Sequence, residues 1–143
     1  MKKLCFLIVM ALLGVQAHAA LFITNNSNCT IQVRVMAHDA NHTSSCALRS
    51  NVITLAPNSN RIITNVSSLN TLEGWDGGAM AATTGGTTAW GWDAVECYGT
   101  SNMLVGHPGT CAAYTFGSIL GFCGVDIGGQ FYVVGSNTVA DFF

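Results

Sequence analysis

The segment Thr30-Ile-Gln-Val-Arg-Val-Met36, TIQVRVM, decides the fold class. Ile31, Val33 and Val35 alternate with Gln32 and Arg34. A period of two puts the apolar side chains on one face and the polar ones on the other, as in a half-buried strand. Before it, Leu21-Phe-Ile-Thr24 reads as a short strand that stops at Asn-Asn-Ser-Asn. After it, Asn51–Leu55, the turn residues Ala56-Pro-Asn-Ser-Asn60 and Arg61–Val66 read as a hairpin. Trp75–Met80 and Thr87–Tyr98 read as another pair around Thr83-Thr-Gly-Gly86. Gln130–Val134 and Thr138–Phe142, joined at Gly135-Ser-Asn137, read as a last hairpin. Short strands with a turn signal roughly every ten residues predict an all-β domain. The predicted architecture is a single antiparallel β-sandwich, with a flattened barrel as the alternative. No window carries helical periodicity in helix-forming residues, and no repeat or linker divides the chain.

The first residues, MKKLCFLIVMALLGVQAHAA, carry Lys2 and Lys3, an apolar run from Leu4 to Val15 and the small-residue signal Ala17-His18-Ala19. These are the three parts of a secretory signal peptide. The run is shorter than the ~20 residues that span a bilayer. The expectation is therefore a signal peptide over 1–19, which removes Cys5, and a β-sandwich domain over 20–143. The short, lysine-led leader points to bacterial export, into a periplasm or outside the cell.

After the leader the basic residues are Arg34, Arg49 and Arg61, against seven acids, a net charge of −4. Three scattered arginines make no basic patch for nucleic acid and no cationic cluster for an anionic membrane. Hydrophobic residues make up 50% of the chain and charged residues 8%, the reverse of a disordered composition. The chain should bury a core beneath a nearly neutral surface rich in Asn, Thr, Ser and Gly. Such a surface repels itself weakly and suits a protein that works in contact with something.

From Gly99 to Val125 there is no Asp, Glu, Lys or Arg. Glycines there alternate with Tyr114, Phe116, Ile119, Leu120 and Phe122. The segment reads as two buried strands with flexible joints, or else as an apolar loop offered to a partner subunit or membrane. Its glycines disfavour a membrane helix, although a closed hairpin can enter lipid.

Five cysteines follow the leader: Cys29, Cys46, Cys97, Cys111 and Cys123. In an exported protein pairs of them should oxidise. Proximity in sequence pairs Cys29 with Cys46 and Cys111 with Cys123, leaving Cys97 over; a Cys97–Cys111 bridge competes. A loop of about 15 residues closed in this way is worth about 3 kcal/mol by the chain-entropy argument.

His38, His42 and Cys46 fall four residues apart, a spacing that would line one face of a helix as a zinc site does. The strand through Val35 runs straight into His38, and Asp39, Asn41, Thr43, Ser44 and Ser45 favour turns. The expectation is solvated loop histidines beside a disulfide, with no metal. Catalytic sets are weak too. Gly117-Ser118 lacks the spacing of a nucleophile elbow. Cys111 with His107 would need a free thiol. Asp76, Asp93 and Glu96 read as solvated acids rather than a glycosidase pair. There is no phosphate loop or dinucleotide fingerprint, so no cofactor is expected.

Trp90 and Trp92 lie two apart in AWGWD, and Trp75 has a similar Gly-Trp-Asp-Gly setting. In a strand Trp90 and Trp92 share a face. Filling the core is one reading. The other is a ligand surface of Trp75, Trp90, Trp92 and Asp93, where rings stack on a sugar and the carboxylate takes its hydroxyls.

The opening Leu21-Phe-Ile-Thr-Asn-Asn-Ser-Asn-Cys29-Thr-Ile-Gln-Val33 with Leu55-Ala-Pro-Asn-Ser59 resembles the start of thaumatin-like proteins. The ending Phe131-Tyr-Val-Val-Gly-Ser-Asn137 is similar to aegerolysin-type small sandwiches, which bind membrane lipids. The dense disulfide framework of thaumatin-like proteins is absent. What both resemblances imply is a class: small, secreted, all-β and active at a surface. The functional expectation is a secreted, non-enzymatic sandwich that binds or adheres at a cell surface or matrix, with a glycan as one partner class. Membrane activity or self-assembly through 99–125 is the alternative, and a small secreted hydrolase a third.

Overall fold

The computed structural model describes residues 20–81, 90–99 and 101–143. The expected signal peptide over 1–19, the turn at 83–86 and the strand residues 87–89 lie outside the described residues. Among the described residues ten strands form two packed sheets with no closed barrel, so the chain is an all-β sandwich. They are β1 (Leu21–Asn25), β2 (Ile31–His38), β3 (Leu48–Arg49), β4 (Ile53–Leu55), β5 (Ser59–Ile63), β6 (Gly91–Tyr98), β7 (Met103–Gly106), β8 (Phe116–Phe122), β9 (Val125–Val134) and β10 (Asn137–Phe142). The first sheet runs β5-β1-β10-β9-β8. The second runs β3-β2-β6-β7, with β4 also on β2.

The alternation in TIQVRVM does what its period requires. Ile31, Val33 and Val35 are fully buried, while Gln32 faces out. They meet Leu21, Ile23, Ile63, Ile127, Phe131, Ala140 and Phe142 from the other sheet in one core. Glycine makes room at one point of that core. Gly117 and Gly129 face each other across β8 and β9. A Cβ on Gly117 would stand 2.8 Å from Met103 Cγ, and one on Gly129 2.6 Å from Met103 Cε. The Met103 side chain thus fills the space that the paired glycines leave, which is a packing use of glycine in a strand.

Three sequence expectations change. Segment 51–66 is not a hairpin: β4 pairs with β2 and β5 with β1, so the chain crosses from one sheet to the other at Ala56–Asn58. Asn25, fully buried, holds that crossing by donating from Nδ2 to the carbonyls of Cys29 (2.7 Å), Leu55 (3.2 Å) and Ala56 (2.9 Å). Trp75–Met80 is not a strand but a single bridge to Ser50 followed by a 3₁₀ turn over Asp76–Gly78. Finally, β1 and β10 pair in parallel, so the sandwich is not purely antiparallel.

The charge-free segment divides. β7 is mostly buried, with Met103 and Val105 in the core. In β8 only Ile119 is fully buried, and Phe116 and Leu120 face outwards.

Candidate functional site

The pairing of β2 with β6 slips between Met36 and Ala37: Met36 faces Ala94 and Ala37 faces Trp92. Asp93 is the extra residue, and such a bulge re-aims a side chain. Its carboxylate, 2% exposed as a residue, accepts from the Cys46 backbone N–H at 2.7 Å and from His38 Nδ1 at 2.8 Å. Its carbonyl accepts from the backbone N–H of His107 at 2.8 Å. One buried acid therefore fixes the end of β2, the 39–47 loop and the loop after β7.

Those two loops are joined covalently by a Cys46–Cys111 disulfide, Cα to Cα 6.0 Å. The expected Cys29–Cys46 and Cys111–Cys123 bridges are not formed, and neither is Cys97–Cys111. Sequence proximity misleads because Cys111 returns over the outer face of β2 and β6, where Met36, Ala94 and Ala112 form a small second core. Cys29, Cys97 and Cys123 carry free thiols. Cys97 sits in the main core, and burial pushes its thiol up to about 12. A thiol held protonated at neutral pH is a poor nucleophile.

The four-residue spacing of His38, His42 and Cys46 does not become a metal site. His38 bonds to Asp93, His42 Nδ1 bonds to Asp39 Oδ1 at 2.8 Å, and Cys46 is bridged. Asp39, fully buried, also accepts from the backbone of Asn41 and His42, making the loop a closed turn. The histidines are therefore anchored to two different buried aspartates rather than simply solvated. Among the described residues no group of three His, Cys, Asp or Glu is placed to hold a metal.

The tryptophans do not form an open platform. Trp75 and Trp92 are 2% and 3% exposed and belong to the main core. Trp75 Nε1 donates to Asn70 Oδ1 at 2.9 Å. Trp90, half-buried, meets Trp92 edge to face at 5.8 Å between centroids. With Asp93 buried as well, the four residues expected to bind a ligand are placed to pack and to brace. Nor do the acids weighed for catalysis converge. Asp76 pairs with Arg34 at 3.5 Å and Glu96 with Arg49 at 2.7 Å. His107 lies edge-on to Phe131, and its imagined partner Cys111 is in the disulfide.

What the sequence reading missed is a surface. On the outer face of the first sheet, Ile62, Phe22, Val139 and Tyr132 stand in register across β5, β1, β10 and β9. Ile62 is 50% exposed and Tyr132 37%. Val134 is exposed two residues further along β9, whereas Phe116 stands beside Gln130 on β8, with the Phe143 ring 6.5 Å away. The adjoining row, Asn60, Thr24, Asp141 and Gln130, is polar, with Asp141 accepting from Thr24 Oγ1 and Asn26 Nδ2. Phe22 and Tyr132 fall on segments the sequence marks as strands, but only the register puts them in one row.

No family model matches the chain, and no curated protein and no solved structure matches it. The likenesses to thaumatin-like and aegerolysin-type proteins therefore carry no residue role here. Among the described residues no helix is long and apolar enough to cross a membrane.

Proposed function

We propose that this is an exported, non-enzymatic sandwich that binds or adheres by contact at a cell surface or matrix, and that the contact face is the outer side of the first sheet. The observation that carries this reading is the in-register row Ile62–Phe22–Val139–Tyr132. Exposed apolar surface that is contiguous rather than scattered marks an interaction site. The Cys46–Cys111 bridge supports export, because disulfides persist in oxidising compartments. The polar row beside the apolar one supplies hydrogen-bonding groups at its rim, the anatomy of a binding patch.

The test uses the exported protein on a glycan array, on liposomes, and in light scattering against concentration for self-association. The reading expects a signal in at least one assay that Ile62→Asp/Tyr132→Asp abolishes and Trp90→Ala keeps. Silence in all three, or turnover in a hydrolase screen, would overturn it. Self-assembly or membrane contact through the β8–β9 hairpin is a second reading, favoured by the exposure of Phe116 and Val125 on it. There, Phe116→Asp would remove the scattering or liposome signal while Ile62→Asp/Tyr132→Asp left it intact.

A further inference from the structure

The β8–β9 hairpin turns on two residues, Cys123 and Gly124, between the paired Phe122 and Val125. Both have positive φ, 51° and 79°. Two-residue turns of this kind favour Asn-Gly, because left-handed backbone costs other side chains energy. Cysteine has no such advantage. Among the described residues the other non-glycine positions with positive φ are Asn58, which tolerates it, and Cys46, which is bridged to Cys111. Cysteine is thus held in left-handed backbone twice, and in one of the two cases its sulfur makes a disulfide.

Cys29 stands opposite this turn. Its backbone is fixed: the N–H donates to Ser27 Oγ at 3.2 Å, and the carbonyl accepts from Asn25 Nδ2 at 2.7 Å. Its sulfur lies 4.0 Å from the Phe122 carbonyl oxygen, on the peptide that leads into Cys123. Cys123 directly follows that carbonyl, so the two cysteines are neighbours across the turn. Phe122 is packed against the core beside Gly99, so the end of the hairpin is seated close to the turn that carries Cys29.

We propose that Cys29 and Cys123 form a second disulfide, which locks the β8–β9 hairpin onto the turn between β1 and β2. The oxidant is a disulfide, either of a thiol–disulfide oxidoreductase or of a small molecule such as oxidised glutathione. Exposed Cys123 meets it first. Its thiolate attacks the oxidant disulfide, forming a mixed disulfide and releasing one thiolate. Cys29 then gives up its proton and attacks the Cys123 sulfur, releasing the second. Two protein thiols become one disulfide, and the oxidant leaves as two thiols. Cys29 is buried and Cys123 exposed, so Cys123 meets the oxidant and Cys29 takes the second, resolving step. Cys97, sealed in the core, keeps its thiol.

The protein is fully reduced, refolded in a reduced/oxidised glutathione buffer, quenched in acid, unfolded and alkylated, then mapped as non-reduced peptides by mass spectrometry. The arrangement expected is Cys29 linked to Cys123, Cys46 linked to Cys111, and Cys97 alkylated. In Cys123→Ser, Cys29 should become alkylated while Cys46–Cys111 persists. Hydrogen exchange across 116–130 should be at least tenfold faster in Cys123→Ser than in the oxidised protein. Alkylation of both Cys29 and Cys123 in the refolded protein, a link from either to Cys97, or an unchanged exchange rate would overturn the proposal. The mapping needs no ligand and no export, so its failure is distinct from failure of the contact reading.

Discussion

The two outer faces of this sandwich solve the same problem in opposite ways. On the second sheet the face is braced. Arg34 pairs with Asp76 and lies 5.4 Å from the Tyr98 ring, Arg49 pairs with Glu96, and the disulfide flap covers Met36 and Ala94. On the first sheet the row Ile62, Phe22, Val139 and Tyr132 has no such flap over it in the described chain. The disulfide and the packing beneath it secure the fold, with partly exposed ion pairs adding little, whereas a row exposed at Ile62 and Tyr132 suits contact with another body. Stability and contact should therefore be separable by mutation, face by face.

The strongest way to break the contrast is at the staple. Cys46 and Cys111 are 65 residues apart in the chain. By the chain-entropy argument, opening that loop with Cys46→Ser/Cys111→Ser should cost about 4 kcal/mol. Urea unfolding measures it. A loss under about 1 kcal/mol would mean that the flap is held by its packing alone.

Asp93→Ala comes next, at about 3 kcal/mol in the same assay, because it strands the Cys46 N–H and the His38 ring that the buried carboxylate now satisfies. This residue also shows what the sequence could and could not tell. The strands read over 21–24, 30–36, 130–134 and 138–142 are found, within a few residues at their ends, because a period of two is written in consecutive residues. A bulge is not: Asp93 in AWGWD looks like any acid beside a tryptophan until β2 and β6 are in register. The cysteines fail the same way, since Cys46 and Cys111 become neighbours only through the return of the chain over the second sheet. The Ala56-Pro-Asn turn suits a hairpin and a crossing between sheets equally well, and β1 pairs in parallel with β10, more than a hundred residues away in sequence. The contact row follows from that pairing, so it could not be read in advance.

A smaller effect sharpens the electrostatic side. Burial opposes the Glu96 charge, but hydrogen bonds from Arg49 and Tyr98 outweigh it and hold the carboxyl below its usual range. A carboxyl depressed in the folded state contributes stability above its unfolded value near 4.5, and that stability is lost as pH falls through the folded value. Glu96→Gln should lower stability at pH 7 by about 1 kcal/mol and by less at pH 3, converging on the parent. Parallel stability–pH curves for the two proteins would show that the pair contributes nothing.

The least change in stability should come from the face proposed to matter most for contact. Ile62 and Tyr132 are exposed, and each loses at most cross-strand neighbours worth ~0.2–1 kcal/mol. Ile62→Asp/Tyr132→Asp should therefore unfold within about 1 kcal/mol of the parent while losing its glycan, liposome or self-association signal. Cys46→Ser/Cys111→Ser should do the reverse, keeping the signal while giving up about 4 kcal/mol. If instead the two aspartates on the first sheet unfolded the protein, Phe22 and Val139 between them would be part of the core rather than of a surface. The two faces would then differ in composition alone and not in the work they do.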